Sequence, residues 1–161
     1  MRWIKSHRFD RQVVPLANRH YNRQKVGSPQ FAPPGRCVVL RTQEYDAFWI
    51  TSWPYAEYVR HAWAGAWICS AFRNESGHLS SELIREAIEV TRSIYGDPPE
   101  LGMVTFVDAT KVRHKRDPGR CYLRAGFRHA GMTKGGLIAL QLLPQDMPEA
   151  RDALQSQLAM L

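Results

Sequence analysis

The chain has 161 residues, of which 44% are hydrophobic and 23% charged, and its formal net charge is +7. This composition excludes a disordered chain, and the length suits one folded domain with its own core. Because no apolar run could cross a membrane and the start lacks the apolar region of a secretory signal, we expect a cytoplasmic protein. Cys37, Cys69 and Cys121 are widely spaced, which predicts reduced thiols and no metal site.

Two basic blocks carry the excess charge. Residues 1–36 contain eight Lys or Arg against Asp10 alone, and residues 111–134 contain eight against Asp117 alone. Such blocks indicate a polyanionic partner, most simply double-stranded DNA, although a generally basic, solvated surface explains the charge equally well. The DNA contacts predicted from these blocks are Arg19, Arg23, Lys25, Lys111, Arg113, Lys115, Arg116 and Arg120.

The chain divides into three parts in order. Residues 1–36 have weak periodicity and form a predicted basic loop or arm, with a short extended or helical piece at 13–16. Long loops are often functional, and His20 lies where hydrogen-bonding side chains concentrate. The predicted core covers 37–143, and we expect a C-terminal helix of modest hydrophobicity over 144–161.

Within the core, the pattern predicts strand, strand, strand, helix, strand, short helix, strand. The strands are expected at 35–41, 47–51, 66–72, 103–109 and 135–143, and the helices at 80–95 and before Gly126. This order predicts a single-domain α/β (α+β) fold with a mixed central sheet and flanking helices.

The helix over 80–95 has one apolar face and one charged face. Ser80 is the predicted N-cap, and Gly96 with Pro98 and Pro99 ends the helix. A helix that begins directly after a strand and a polar turn suits an anion at its positive end, but it is also an ordinary joint. The predicted buried face consists of Leu83, Ile84, Ala87, Ile88, Thr91, Ile94 and Tyr95.

The short helix is expected to begin with Asp117 as N-cap and Pro118 at its first position. It carries Tyr122, which on its own is simply an aromatic anchor. Residues 121–127 with Gly131 nevertheless resemble the end of the GNAT acetyltransferase-like fold. Three longer segments, FRNESGHLSSELIREA, TFVDATKVR and DPGRCYLRAGFRHAGMTKGGL, together with HYNRQKVG, are similar to the phage Mom family of DNA adenine-modification proteins.

This resemblance covers residues 15–143 and implies a GNAT-like fold. It also implies conversion of adenine in DNA to an N6-carbamoylmethyl form, which protects phage DNA from host restriction. The catalytic positions that it implies are His20, Ser80 or Ser81, Asp108 and Tyr122. Asp108 or His20 could take the N6 proton and Tyr122 could protonate a leaving group, so we expect Asp108→Asn to abolish modification.

Acetyltransferases hold the pyrophosphate of CoA in a glycine-rich turn, and residues 73–78 keep only Gly77 of that pattern. Glu75 adds a negative charge where phosphates would bind, so we expect weak binding of acetyl-CoA. The donor therefore stays open between acetyl-CoA and another acyl or glycyl donor. The cofactor-binding candidates are Arg73, Asn74, Gly77 and Ser80.

An adenine inside duplex DNA is out of reach, so the base would have to flip and stack on aromatic side chains. The candidates for stacking are Tyr21, Trp53, Trp63 and Trp67. Two other functions remain open. One is a GNAT-type N-acyltransferase acting on a small amine or a protein, and the other is a non-catalytic DNA-binding protein with the same fold.

Overall fold

The computed structural model describes residues 1–20, 26–111 and 119–155. These residues form one seven-stranded mixed sheet flanked by three α-helices, which confirms the predicted α+β class. The elements are β1 (Trp3–Lys5), α1 (Val14–Asn18), β2 (Cys37–Thr42), β3 (Ala47–Ser52), β4 (Trp67–Asn74), α2 (Ser80–Tyr95), β5 (Met103–Val107), α3 (Arg120–Arg124), β6 (Arg128–Met132) and β7 (Ile138–Leu142), with 3₁₀ turns at Ala56–Tyr58 and Pro144–Asp146.

The strand order is β1-β2-β3-β4-β5-β7-β6, and every pair is antiparallel except β4 with β5. Parallel neighbours need a crossover, and α2 supplies it. β4 and β5 pair only from Trp67↔Met103 to Cys69↔Thr105, although β4 continues to Asn74 and β5 to Val107. The two strands are therefore unpaired with each other at their carboxyl ends.

Side chains alternate between the two faces of the sheet, as a strand requires. On β3, Trp49 packs in the core cluster that contains α2, whereas Phe48 and Ile50 pack in a second cluster with α1. The indole N–H of Trp3 donates to the carbonyl of Leu83 at 2.7 Å, which joins β1 to α2. The sheet therefore has a separate apolar layer on each face.

The prediction for α2 is right in its bounds but wrong in its N-cap and in part of its buried face. Leu79 is the N-cap and Ser80 begins the helix, where its hydroxyl accepts a hydrogen bond from Asn74. Ile94 is 38% exposed, whereas Glu86 is buried. Glu86 is buried because β1 holds the preceding Arg2 against the helix, with the Arg2 guanidinium 2.7 Å from the Glu86 carboxylate.

Other differences concern the two edge strands of the sheet and the N-terminal residues. β1 and β6 were not predicted, because β1 has only three residues and all five residues of β6 are exposed. Since β1 and α1 pack into the sheet and its core clusters, the described part of residues 1–36 is more than a loop or arm.

The predicted C-terminal helix is absent from the described residues up to 155. Leu154 instead pairs with Ile4 beyond the 3₁₀ turn, and Pro148 has no N–H for a helix. α3 has Gly119 as its N-cap, and Asp117 and Pro118 lie outside the described residues. None of the described helices combines the length and the apolar character that crossing a bilayer requires.

Candidate active site between β4 and β5

A cavity of about 470 Å³ opens where β4 and β5 cease to pair, and we call it the β4–β5 cavity. The carboxyl ends of parallel strands commonly line a ligand crevice. β4 contributes Phe72, Arg73 and Asn74 to the wall, and β5 contributes Val107. The opposite wall comes from the start of α2 and from Gly119 and α3.

The β4–β5 cavity has a positive lining. Arg73, Arg120 and Arg124 face it, and none of the described residues that line it is Asp or Glu. Ser80 and Ser81 of the first turn of α2 also line it, and among the described residues their backbone N–H groups have no hydrogen-bond partner. Because unpaired N–H groups and the helix dipole both favour negative charge, the cavity suits an anionic ligand.

Asn74 organises the turn between β4 and α2. Its side-chain amide donates to the carbonyl of His78 at 2.8 Å and to the hydroxyl of Ser80 at 2.9 Å. Its side-chain carbonyl accepts from the backbone N–H of Ser76 at 2.9 Å. Asn74 therefore fixes the start of α2, whereas Gly77 does not line the cavity.

The negative charge predicted at the phosphate-binding turn is neutralised. The Glu75 carboxylate accepts hydrogen bonds from Arg19 Nε at 2.7 Å, Arg19 Nη2 at 2.8 Å and Arg73 Nε at 2.6 Å. These two guanidinium groups lower the pKa of Glu75 to about 2. Glu75 is also not among the lining residues, so the expected repulsion of a phosphate loses its basis.

We expect Glu75→Gln to lower the free energy of unfolding by at most about 1 kcal/mol at pH 7, because the ion pairs are exposed. A carboxylate whose pKa is depressed by folding stabilises the protein above its unfolded pKa, near 4.5, and loses this effect as the pH falls toward its folded value. The difference from wild type should therefore be constant above pH 5 and shrink between 4.5 and about 2. Urea unfolding across this range measures it.

The matched control is Glu57→Gln, which removes an exposed carboxylate that has no ion pair within the described residues. If both variants show the same pH dependence of stability, the Arg19–Glu75–Arg73 cluster has no stabilising role.

Aromatic contacts hold Tyr122 in the cavity wall. Its ring lies edge-on to Phe72 and Phe127, with centroids 6.3 and 5.5 Å away. Its hydroxyl lies 3.5 Å from Cys69 Sγ, and burial raises the pKa of that thiol to about 12. Since Cys69 stays a neutral thiol near pH 7, Tyr122 is the member of this pair suited to proton transfer.

His20 follows the C-terminal end of α1 and is only 9% exposed. Its backbone N–H donates to the carbonyl of Ala17 at 3.0 Å, and its ring lies edge-on to Phe48 with centroids 6.2 Å apart. The carbonyl of the preceding Arg19 accepts a hydrogen bond from Arg73. These contacts place His20 in the wall of the β4–β5 cavity. No pattern in the sequence around His20 predicted this position.

Asp108 follows β5 but does not line the β4–β5 cavity. Its Oδ1 accepts from the backbone N–H of Thr110 at 3.0 Å and from the Thr110 hydroxyl at 2.6 Å. These hydrogen bonds form an Asx turn and lower the pKa of the carboxylate, which makes it a weaker base.

This geometry favours a structural role for Asp108, in which Asp108→Asn is tolerated. The amide oxygen of Asn can still accept from Thr110, so we expect the variant to fold. In a protein that modifies adenine, as the family resemblance implies, this variant should keep the modification within about threefold of wild type, far from the roughly 10²-fold loss of a missing base. Nucleoside analysis of DNA from expressing cells measures the modification. Asp108→Ala, which removes the acceptor, should lower the melting temperature. Loss of modification by a well-folded Asn variant would restore Asp108 as the base.

The structure thus brings six of the predicted site residues to one cavity: His20, Arg73, Asn74, Ser80, Ser81 and Tyr122. Arg120 also lines it, whereas Arg19 is engaged with Glu75 and Lys111 is exposed. The predicted DNA contacts Arg23, Lys25, Arg113, Lys115 and Arg116 lie outside the described residues.

Two cavity residues with polar side chains were missed from the sequence. Arg124 lies four residues after Arg120, so helical spacing could have placed it on the same face. No pattern in the sequence indicated that Cys121 would line the cavity. Among the proposed stacking residues, Trp67 is fully buried and cannot meet a base. In the described part of the chain, no group of three His, Cys, Asp or Glu is arranged to hold a metal ion.

Comparison with known proteins returns no match among family models, curated proteins or solved structures.

Proposed function

We propose that this protein is a DNA-modifying transferase that converts the N6 amine of adenine to a carbamoylmethyl-type form in the cytoplasm of a phage-infected cell. The observation that carries the proposal is the β4–β5 cavity, which His20 and Tyr122 line together with three arginines and the start of α2. The resemblance of residues 15–143 to the Mom family supplies the reaction. A positive cavity that includes Arg120 and Arg124 of the second basic block supports both an anionic donor and a DNA substrate.

The chemistry assigns a role to each polar group. Adenine N6 is a weak nucleophile, so it must be held against the electrophilic carbon of the donor. The new N6–carbon bond forms as the bond from that carbon to the leaving group breaks, and N6 loses one proton. In this proposal His20 accepts the proton, Tyr122 donates to the leaving group, and Arg73, Arg120 and Arg124 hold the anionic part of the donor.

A GNAT-type N-acyltransferase is the second candidate, and one observation favours it. Glu75 is neutralised by Arg19 and Arg73, which removes the charge that argued against the phosphates of an acyl-CoA. The same cavity, base and proton donor would then serve acyl transfer to a small amine or a protein.

One experiment separates these functions. DNA from cells that express the protein is digested to nucleosides and analysed by mass spectrometry, and the purified protein is assayed for turnover of acetyl-CoA. A deoxyadenosine of increased mass supports DNA modification. Unmodified DNA with acetyl-CoA turnover supports the acyltransferase, and neither result, with DNA binding retained, supports a non-catalytic DNA-binding protein.

We expect DNA affinity to fall steeply with salt, because each neutralised phosphate adds about −0.9 to the slope of log K against log salt. The double variant Lys115→Gln, Arg116→Gln in the second basic block should reduce that slope by about 1–2. Fluorescence anisotropy with duplex DNA between low and moderate salt measures the slope. Arg60→Gln is the control, because Arg60 is exposed and lies outside both blocks. Equal slopes in all three proteins would contradict a role of this block in DNA binding.

A further inference from the structure

A second cavity, of about 490 Å³, lies on the sheet face that α1 covers, and we call it the α1-side cavity. Phe48, Ile50 and Ala71 of the sheet form its floor, and they belong to the same apolar cluster as α1. Pro33 and Pro34 lie at its exposed rim. Its volume falls in the range of small-molecule sites, and its polar lining residues are His20, Gln30 and Ser70.

The two cavities share one residue, His20. The ring is buried at the point where the α1 face of the sheet reaches the gap between β4 and β5. A ligand in either cavity would therefore contact the same imidazole. If both cavities were occupied, His20 would lie between the two ligands. A base for group transfer between them has to lie at that position.

The shape of the α1-side cavity favours a flat, aromatic ligand. The rings of Phe31 and His20 both lie edge-on to Phe48, with centroids 6.1 and 6.2 Å from it. The three rings form a continuous wall held by edge-to-face contacts. Such a wall, with Pro33 and Pro34 at the rim, offers broad apolar contact together with a few polar groups, as heterocyclic bases require.

The charge around the α1-side cavity indicates what the ligand is attached to. Seven of its eleven lining residues belong to residues 1–36, the first basic block. Arg8 reaches the chain next to the rim, because its guanidinium donates to the carbonyl of Gly35, whereas the guanidinium of Arg36 stacks on Trp53 and Tyr55. A base presented by a polyanion would meet the positive charge of Arg8 beside the rim and apolar surface inside.

We propose that the α1-side cavity receives a purine base flipped out of DNA, while the β4–β5 cavity holds the donor, so that the two substrates meet at His20. The identity of the acceptor rests on the proposed function. The division of the site into two cavities rests on the positions of the lining residues alone.

Titration of the purified protein with 2′-deoxyadenosine 5′-monophosphate, followed by methyl NMR, tests this assignment. We expect chemical-shift changes at Ala32, Ile50 and Ala71 and much smaller ones at Leu79 and Val107, which line the other cavity. Ala71→Leu fills the α1-side cavity and should weaken this binding at least tenfold. Ala130→Leu, on exposed β6, makes the same change at the surface and should leave binding unaltered.

Shift changes confined to the β4–β5 cavity, no binding, or equal affinity of wild type and Ala71→Leu would each overturn the assignment. If Ala71→Leu does not fold, the shift map of the wild-type protein decides. Nucleotide binding at Ala32, Ile50 and Ala71 without any modified DNA in cells would retain this inference and remove the proposed function. Modification that survives in a folded Ala71→Leu variant would overturn this inference and retain the proposed function.

Discussion

If the proposed function is right, His20→Gln should reduce adenine modification by about 10²–10⁴-fold and leave the protein folded. Glutamine is polar and of similar size, so it can keep much of the contact that the buried imidazole makes with Phe48. It cannot take up the proton that N6 loses during transfer. The measurement is the fraction of modified deoxyadenosine in DNA from cells that express each variant at equal soluble levels.

The control for this variant is His129→Gln, which changes an exposed histidine on β6, away from the cavity lining. It should modify DNA at the wild-type level. A structural role of His20 would show as a lower melting temperature in proportion to lost activity. A well-folded His20→Gln variant with full modification would move the base to another group in the wall, with Tyr122 next.

Gly102→Ala should be the most destabilising single substitution of a glycine, at about 3–5 kcal/mol. Gly102 has φ +68°, and an added Cβ would lie 2.0 Å from the backbone oxygen of Leu142. Backbone on β7 cannot move aside as a flexible side chain can. Gly102 also accepts from the N–H of Trp67 at 2.9 Å and donates to Pro99 at 2.8 Å, so displacement would disturb the start of both parallel strands.

Gly136→Ala separates conformational strain from collision. Gly136 has φ +86° and no atom within 4 Å of an added Cβ, so this variant carries only the backbone cost of about 1–2 kcal/mol. Urea unfolding measures both variants. Equal losses of unfolding free energy in the two variants would show that the close contact with Leu142 contributes nothing. A loss of about 5 kcal/mol in Gly102→Ala would remove much of the stability of an ordinary domain.

Strong local patterns explain which elements could be predicted from the sequence. α2 has a long amphipathic repeat with a clear stop at Gly96, and its bounds are those observed. β2 to β5 are runs of apolar residues between turns, so their existence was predictable to within a few residues. β6 has no apolar pattern, because all of its residues are exposed and it contains Gly131.

The site depends on contacts between residues far apart in the sequence. Local sequence places Glu75 in a phosphate-binding turn, but only the fold brings Arg19 to it from 56 residues away. Asp108 follows a strand in the pattern of a catalytic residue, and the competing Asx turn with Thr110 is equally consistent with that pattern. That His20 lies between two cavities follows from how α1 docks on the sheet, which periodicity does not predict.

β6 is an edge strand of the sheet among the described residues, and positive charge at this edge can protect it. A strand with unpaired N–H and C=O groups can join another molecule and start aggregation. β6 is short, has a bulge between His129 and Gly131, and carries Arg128 on its exposed surface, while Lys134 follows it. Like charges at this edge oppose strand addition between copies of the chain. Charge reversal at Arg128 or Lys134 would therefore reduce solubility in addition to any effect on DNA binding.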